Sequence, residues 1–129
     1  IDQQPTRLIF DPNGRIPRNA KVLKEKGKNI IITKKNLKIP KAQTLVVKNY
    51  DLKTILKKLF KLGITSIFLE GGEFTAKKFL EAKLLDHVLI FQNHAKNNPP
   101  KVCGRKIGLK KIKKFGDDVF FEKRKKEYQ

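Results

Sequence analysis

At 129 residues the chain is long enough for one hydrophobic core and short for a complete nucleotide-dependent enzyme. Its net charge of +19 comes from cations that are mostly lysine and spread along the chain, whereas nucleic-acid readers favour arginine forks and stacked aromatics. The charge therefore disfavours a nucleic-acid role and fits a solvated surface that can attract phosphorylated small molecules. A lone cysteine, Cys103, excludes an intrachain disulfide and suits a reducing cytoplasm; no apolar run approaches membrane-span length, and Ile1 to Pro5 has no signal-peptide character.

In chain order, Arg7 to Phe10 reads as a strand, closed by the turn formers Asp11-Pro12-Asn13-Gly14. Asn29 to Thr33 carries three consecutive isoleucines, as in a strand buried on both faces, and Thr44 to Lys48 is a third strand. Asp51 is placed to cap a helix whose apolar face is Leu52, Ile55, Leu56, Leu59 and Phe60. Lys53, Lys57, Lys58 and Lys61 fall on the opposite, solvated side, and Gly63 ends the helix. Ser66 to Leu69 reads as a buried strand, Glu73 to Ala82 as a helix and His87 to Phe91 as a strand, so that a right-handed parallel βαβ unit is expected. Asn97 to Lys101 is a loop, Lys110 to Lys114 and Lys123 to Lys126 read as solvated surface or frayed tail, and Val119 to Phe121 is the last strand.

The stretch Thr65 to Gln92 holds the strongest chemical signal. Gly71-Gly72 lets the backbone turn sharply between a strand and a helix, where unpaired N–H groups and the positive end of the helix dipole can receive an anion. Glu70 stands beside that corner, able either to contact a polar substrate or to cap the helix. His87 and His94 lack partners at metal-ligand spacing, so no metal site is expected, and no Ser/His/Asp or Cys/His set supports hydrolysis.

Glu70, Gly71-Gly72, Phe79-Leu80 and Leu84-Leu85-Asp86, taken in order, resemble the reductase half of the bacterial riboflavin-biosynthesis deaminase/reductase family. Pro5 to Asp11 followed by Arg15-Ile16-Pro17, and the closing run Gly116 to Phe121, are similar to two further blocks of that family. The resemblance implies an α/β, dihydrofolate-reductase-like three-layer fold, with a mostly parallel sheet and an antiparallel C-terminal strand. It implies a single reductase-like domain over residues 1–129 that lacks its amino-terminal portion and any deaminase domain, which makes activity of the chain alone doubtful.

The function implied is NADPH-dependent reduction of 5-amino-6-(5-phosphoribosylamino)uracil to the ribitylamino product. Glu70 would contact the phosphorylated pyrimidine substrate, and Gly71, Gly72, Glu73, Phe74 and Thr75 would lie along NADPH. Pro12 and Arg15, with Asp11 and Asn13, would meet its adenosine end, Arg15 pairing with the 2′-phosphate; Thr33-Lys34-Lys35 is a second candidate for that contact. An acidic Glu73 beside a pyrophosphate, His87 after Asp86 and the polar run Asn93 to Gly104 depart from the family pattern. A cytoplasmic homodimer without membrane contact is expected. The alternatives are a basic, non-catalytic nucleic-acid-binding module and a dihydrofolate-reductase-like reductase of another substrate.

Overall fold

The computed structural model describes residues 3–70, 72–93, 110–116 and 118–124. Gly71, His94, Cys103, Asp117 and the expected loop at 97–101 lie outside the described residues. The chain resolves into two compact units, Ile1–Ile67 and Phe68–Gln129.

In the first unit β1 (Arg7–Phe10), β2 (Asn29–Thr33) and β3 (Gln43–Val46) form a parallel sheet in the order β1-β2-β3. The isoleucine run does what its composition dictates: every residue of β2 is buried. Ile30 and Ile32 face one side, where Val47 and the α2 residues (Leu52–Lys61) Ile55 and Leu59 complete a cluster joined by Leu8, Phe10 and Leu45. Ile31 faces the other side with Ile39 and with Leu23 of the short helix α1 (Lys21–Lys24). Burying each such side chain stabilises the fold by about 1.5–3 kcal/mol, so the middle strand is the main hydrophobic anchor of this unit.

The ends of α2 follow its sequence signals. Asp51 Oδ2 accepts the Thr54 N–H at 2.8 Å and its hydroxyl at 2.7 Å, bonds that hold the carboxyl below the usual carboxylate range. At the other end Gly63 takes φ 85°; its N–H reaches Phe60 O at 2.9 Å, and the Ile64 N–H reaches Leu59 O at 3.1 Å. Those two bonds form a Schellman motif. Phe60 departs from the expected apolar face, for it is 67% exposed. At 3.6 residues per turn it is rotated by about 140° from Ile55, which puts it among the lysines instead.

The second unit holds α3 (Glu73–Glu81) and an antiparallel sheet in the order β4-β6-β5, made of β4 (His87–Asn93), β5 (Lys110–Phe115) and β6 (Asp118–Arg124). α3 ends with Lys83 at φ 56°, its N–H on Leu80 O at 3.0 Å and that of Leu84 on Phe79 O at 3.2 Å, a second Schellman end built without glycine. Val119 and Phe121 are buried on one face of β6 with Val88 and Ile90. Phe91 stacks on Phe120 at 4.7 Å between ring centroids.

Two expectations fail in this part of the chain. The segment 66–69 is not a strand: it has no ladder partner among the described residues, and Phe68 is 80% exposed. β-prone composition without a neighbour to pair with does not make a strand. The parallel βαβ unit is consequently absent among the described residues, and β4 pairs antiparallel with β6 instead, from His87↔Arg124 to Asn93↔Asp118. The lysine run at 110–114 is solvated where its side chains are described, Lys113 and Lys114 being exposed, but it is not a frayed tail. It is strand β5, bound to β6 with a bulge between Lys111 and Lys113, and its lysines suit the edge position it holds in this sheet.

Candidate functional site

The carboxyl ends of the parallel strands in the first unit gather the residues expected at the adenosine end of a dinucleotide. Beyond β1 the chain turns through Asp11–Gly14, and the Asp11 carboxylate organises the turn by accepting the Arg15 N–H at 2.9 Å and the Ile16 N–H at 2.8 Å. Both carboxylate oxygens are thereby engaged inside the loop. Gly14 sits at φ 65°, a conformation that favours glycine, while the nearest atom to a Cβ there is the terminal Cδ1 of Leu37, which a small side-chain rotation can move aside. Beyond β2, the Lys34 N–H donates to Pro12 O at 3.2 Å and the Thr33 hydroxyl to the same oxygen at 3.5 Å, tying the second candidate segment to the first. Arg15 and Lys35 are exposed, and their cationic groups make no ion pair among the described residues. The result is a basic corner whose nearest acid is turned onto the backbone.

Tyr50 belongs to this corner and was missed in the sequence. Its hydroxyl donates to Ile32 O at 2.7 Å, its ring meets Phe10 edge-on at 6.1 Å, and Lys34 Nζ lies 6.0 Å from its centroid. Burial, and next the Asp11 carboxylate, push the phenol up to about 12. A half-buried tyrosine needs a partner for its hydroxyl, and an aromatic between the end of a strand and the cap of a helix was the available signal.

The other sequence-predicted residues belong to the second unit. Gly72 is the N-cap of α3 at φ −63° and ψ 162°, and no side chain caps the helix. A Cβ at Gly72 would meet nothing within 4 Å, so neither backbone conformation nor crowding within the chain demands glycine there. Glu73, Phe74 and Thr75 form the first turn; Glu73 is exposed, and Phe74 is 73% exposed with Lys78 Nζ 4.5 Å from its ring centroid. Glu70 is exposed as well. Gly71 lies outside the described residues, so the diglycine corner is seen through its second member alone.

None of these residues lines the shallow recess of about 350 Å³ in the first unit, which is bordered by Thr6, Lys28, Asn29, Gln43 and Ile64. That recess opens at the amino ends of β2 and β3. Ligands of α/β sheets sit at the opposite, carboxyl ends, which keeps the Asp11–Arg15 corner as the better candidate. His87 is an exposed residue of β4: its Nε2 lies 2.7 Å from Glu122 Oε1, which also accepts a hydrogen bond from Arg124 Nε at 3.0 Å. No cluster of metal-ligating side chains occurs among the described residues.

A parallel three-stranded sheet with helices on both faces in one unit, and a helix with an antiparallel three-stranded sheet in the other, make this a mixed α/β protein. A crystal structure of the diaminohydroxyphosphoribosylaminopyrimidine deaminase/5-amino-6-(5-phosphoribosylamino)uracil reductase from Thermotoga maritima has this fold. It matches with a TM-score of 0.70 at 21% identity, over 95% of this chain and 38% of that one. The family model of the RibD C-terminal domain matches residues 2–119, and the riboflavin biosynthesis protein RibD of Aquifex aeolicus (strain VF5) is 35% identical over 147 aligned positions. This chain belongs to the RibD C-terminal domain family. It covers 95% of itself and 40% of the Aquifex protein in that match, so it spans about two fifths of the relatives' length. Among the described residues no helix is long and apolar enough to cross a membrane.

Proposed function

We propose that the chain is the reductase domain of a riboflavin-biosynthesis enzyme, taking NADPH as cofactor and 5-amino-6-(5-phosphoribosylamino)uracil as substrate, and working as a cytoplasmic homodimer. Membership of the RibD C-terminal domain family carries this reading. The local chemistry at Gly72 supports it: a nine-residue helix starts there without a side-chain cap, at a glycine that the fold itself does not require. Backbone amides at such a helix start can receive the pyrophosphate, and the absence of a Cβ lets it come close.

When bound, NADPH would supply a hydride to C1′ of the substrate ribose, the C1′–O4′ bond opening and the ring oxygen taking up a proton from solvent. The chain's own residues bind and orient. Gly72, Phe74 and Thr75 would hold the pyrophosphate, with Gly71 beside them, while the exposed Glu73 favours the helix dipole and leaves the anion unopposed if its carboxylate faces water. Glu70 would fix the pyrimidine by accepting its N–H groups. At the other corner, Pro12 shapes the turn and Arg15 offers a guanidinium fork to the 2′-phosphate.

The test is titration of NADPH and NADH into the chain and its Gly72→Asp and Glu70→Gln variants. Gly72→Asp should lose at least about tenfold in NADPH affinity through crowding and like-charge repulsion. Glu70→Gln should keep the cofactor and lose substrate. Unchanged NADPH affinity in Gly72→Asp contradicts the assignment.

A further inference from the structure

Phe60 lies on the cationic side of α2, and that changes what this helix face can do. Lys53, Lys57 and Lys61 form one i, i+4, i+8 row, with a step of about 6 Å along the helix axis. All three are exposed; the Asp51 carboxylate at the helix start lies in the field of Lys53, while Lys57 and Lys61 make no ion pair among the described residues, and residues 52–61 of α2 include no acid. Lys58 stands apart from the row, since its Nζ donates to Val46 O at 3.2 Å. Beside the row projects the Phe60 ring, 67% exposed, with Leu62 also exposed at the helix end. The apolar side of α2 is already spent: Leu52, Ile55 and Leu59 are buried in the chain's own core, leaving no amphipathic face to lay on a lipid surface.

We infer that the outer face of α2 is a binding surface for single-stranded nucleic acid. Lys53, Lys57 and Lys61 track successive backbone phosphates, and Phe60 offers its face to one base. An ammonium row answers any polyanion, but an exposed ring within it adds affinity only for a partner that carries unpaired, stackable bases; every base has such a face, so the surface is sequence-tolerant. A duplex keeps its bases stacked on one another, and an acidic polypeptide has none. The +19 charge, whose spread along the sequence argued against a nucleic-acid role, adds long-range attraction for any polyanion; it is the exposed ring beside this lysine row, not the total charge, that selects nucleic acid. This inference is independent of the reductase reading.

Fluorescence anisotropy of the full chain with a labelled single-stranded oligouridine of about a dozen nucleotides tests it, in a salt series from about 50 to 200 mM. The parent should bind at low salt. Phe60→Ala should weaken binding about tenfold while leaving the salt slope unchanged, because a stacked base is lost and no phosphate contact is. The pair Lys57→Gln and Lys61→Gln should reduce the slope of log K against log salt by about 1.4. The chain has no tryptophan, so Phe60→Trp places a single fluorophore on this face, whose emission a stacked base should quench. All of these side chains are exposed, and circular-dichroism melts of the variants should match the parent's. Absence of binding at about 50 mM salt, equal affinity of parent and Phe60→Ala, an unquenched Trp at position 60, or polyglutamate competing as well as the oligonucleotide would each overturn the inference.

Discussion

Removing one oxygen from Tyr50 measures how the basic corner of the first unit is held. In Tyr50→Phe the ring and its edge-on contact with Phe10 stay, while the 2.7 Å bond to Ile32 O is lost. That carbonyl keeps a partner, since the Asp11 N–H also reaches it at 2.9 Å, so no buried acceptor is orphaned. The loss should therefore sit near the ordinary net value of a hydrogen bond, about 1 kcal/mol, rather than the ~3 kcal/mol of an unsatisfied group. In a domain of this size that lowers the melting temperature by about 3–5 °C at neutral pH.

The same substitution has an alkaline signature. Burial first and the Asp11 carboxylate second raise the folded-state phenol to about 12, against about 10 in an unfolded chain. The unfolded state thus releases its proton earlier, so the parent's stability is intact below pH ~10 and falls as pH rises towards ~12. Tyr50→Phe removes that fall. Melts at pH 7 and through the alkaline range read both effects, and a difference ultraviolet titration separates Tyr50 from Tyr128. A loss of ~3 kcal/mol at neutral pH, or an alkaline limb identical in parent and variant, would refute this description of the corner.

Gly14→Ala should cost about 1–2 kcal/mol in urea unfolding, because alanine is strained at this positive φ, while the Leu37 methyl beside it can rotate away. Lys83→Gly should gain about 1 kcal/mol by relieving the left-handed backbone at the end of α3; a loss would mean that the lysine side chain is needed there. Glu122→Gln should flatten the acid limb of stability. The hydrogen bond with His87, and next that from Arg124, hold the Glu122 carboxyl below its ordinary value, so its contribution is present above the unfolded-state value and disappears as pH falls through the folded one. Melts from about pH 5 down to pH 2 would show it.

Much of the first unit was legible because its elements answer to local rules. Three adjacent isoleucines could only be satisfied by burial on both faces, Asp51 and Gly63 mark the ends of α2, and the turn formers after Phe10 stand where β1 stops. What eluded the sequence depends on partners distant in the chain. Lys110 to Phe115 has no strand-like alternation, and it is a strand because β6 offers a ladder. Ser66 to Leu69 has a strand's composition and no ladder partner among the described residues. Phe60 fits a helical repeat read loosely, but the narrow stripe of Leu52, Ile55 and Leu59 already fills the core beneath α2. Of the candidate site, the glycine corner could be seen as a motif, whereas Tyr50 offered only its place between a strand end and a helix cap, and its partner, the Ile32 carbonyl, is 18 residues away in the chain.

Calorimetric titration of NADPH into the chain and its Gly72→Asp variant is the most direct test of the cofactor site. Tight binding by the parent, preferred over NADH and weakened at least about tenfold by the aspartate, is the predicted result. Equal NADPH affinity in the two proteins would contradict it.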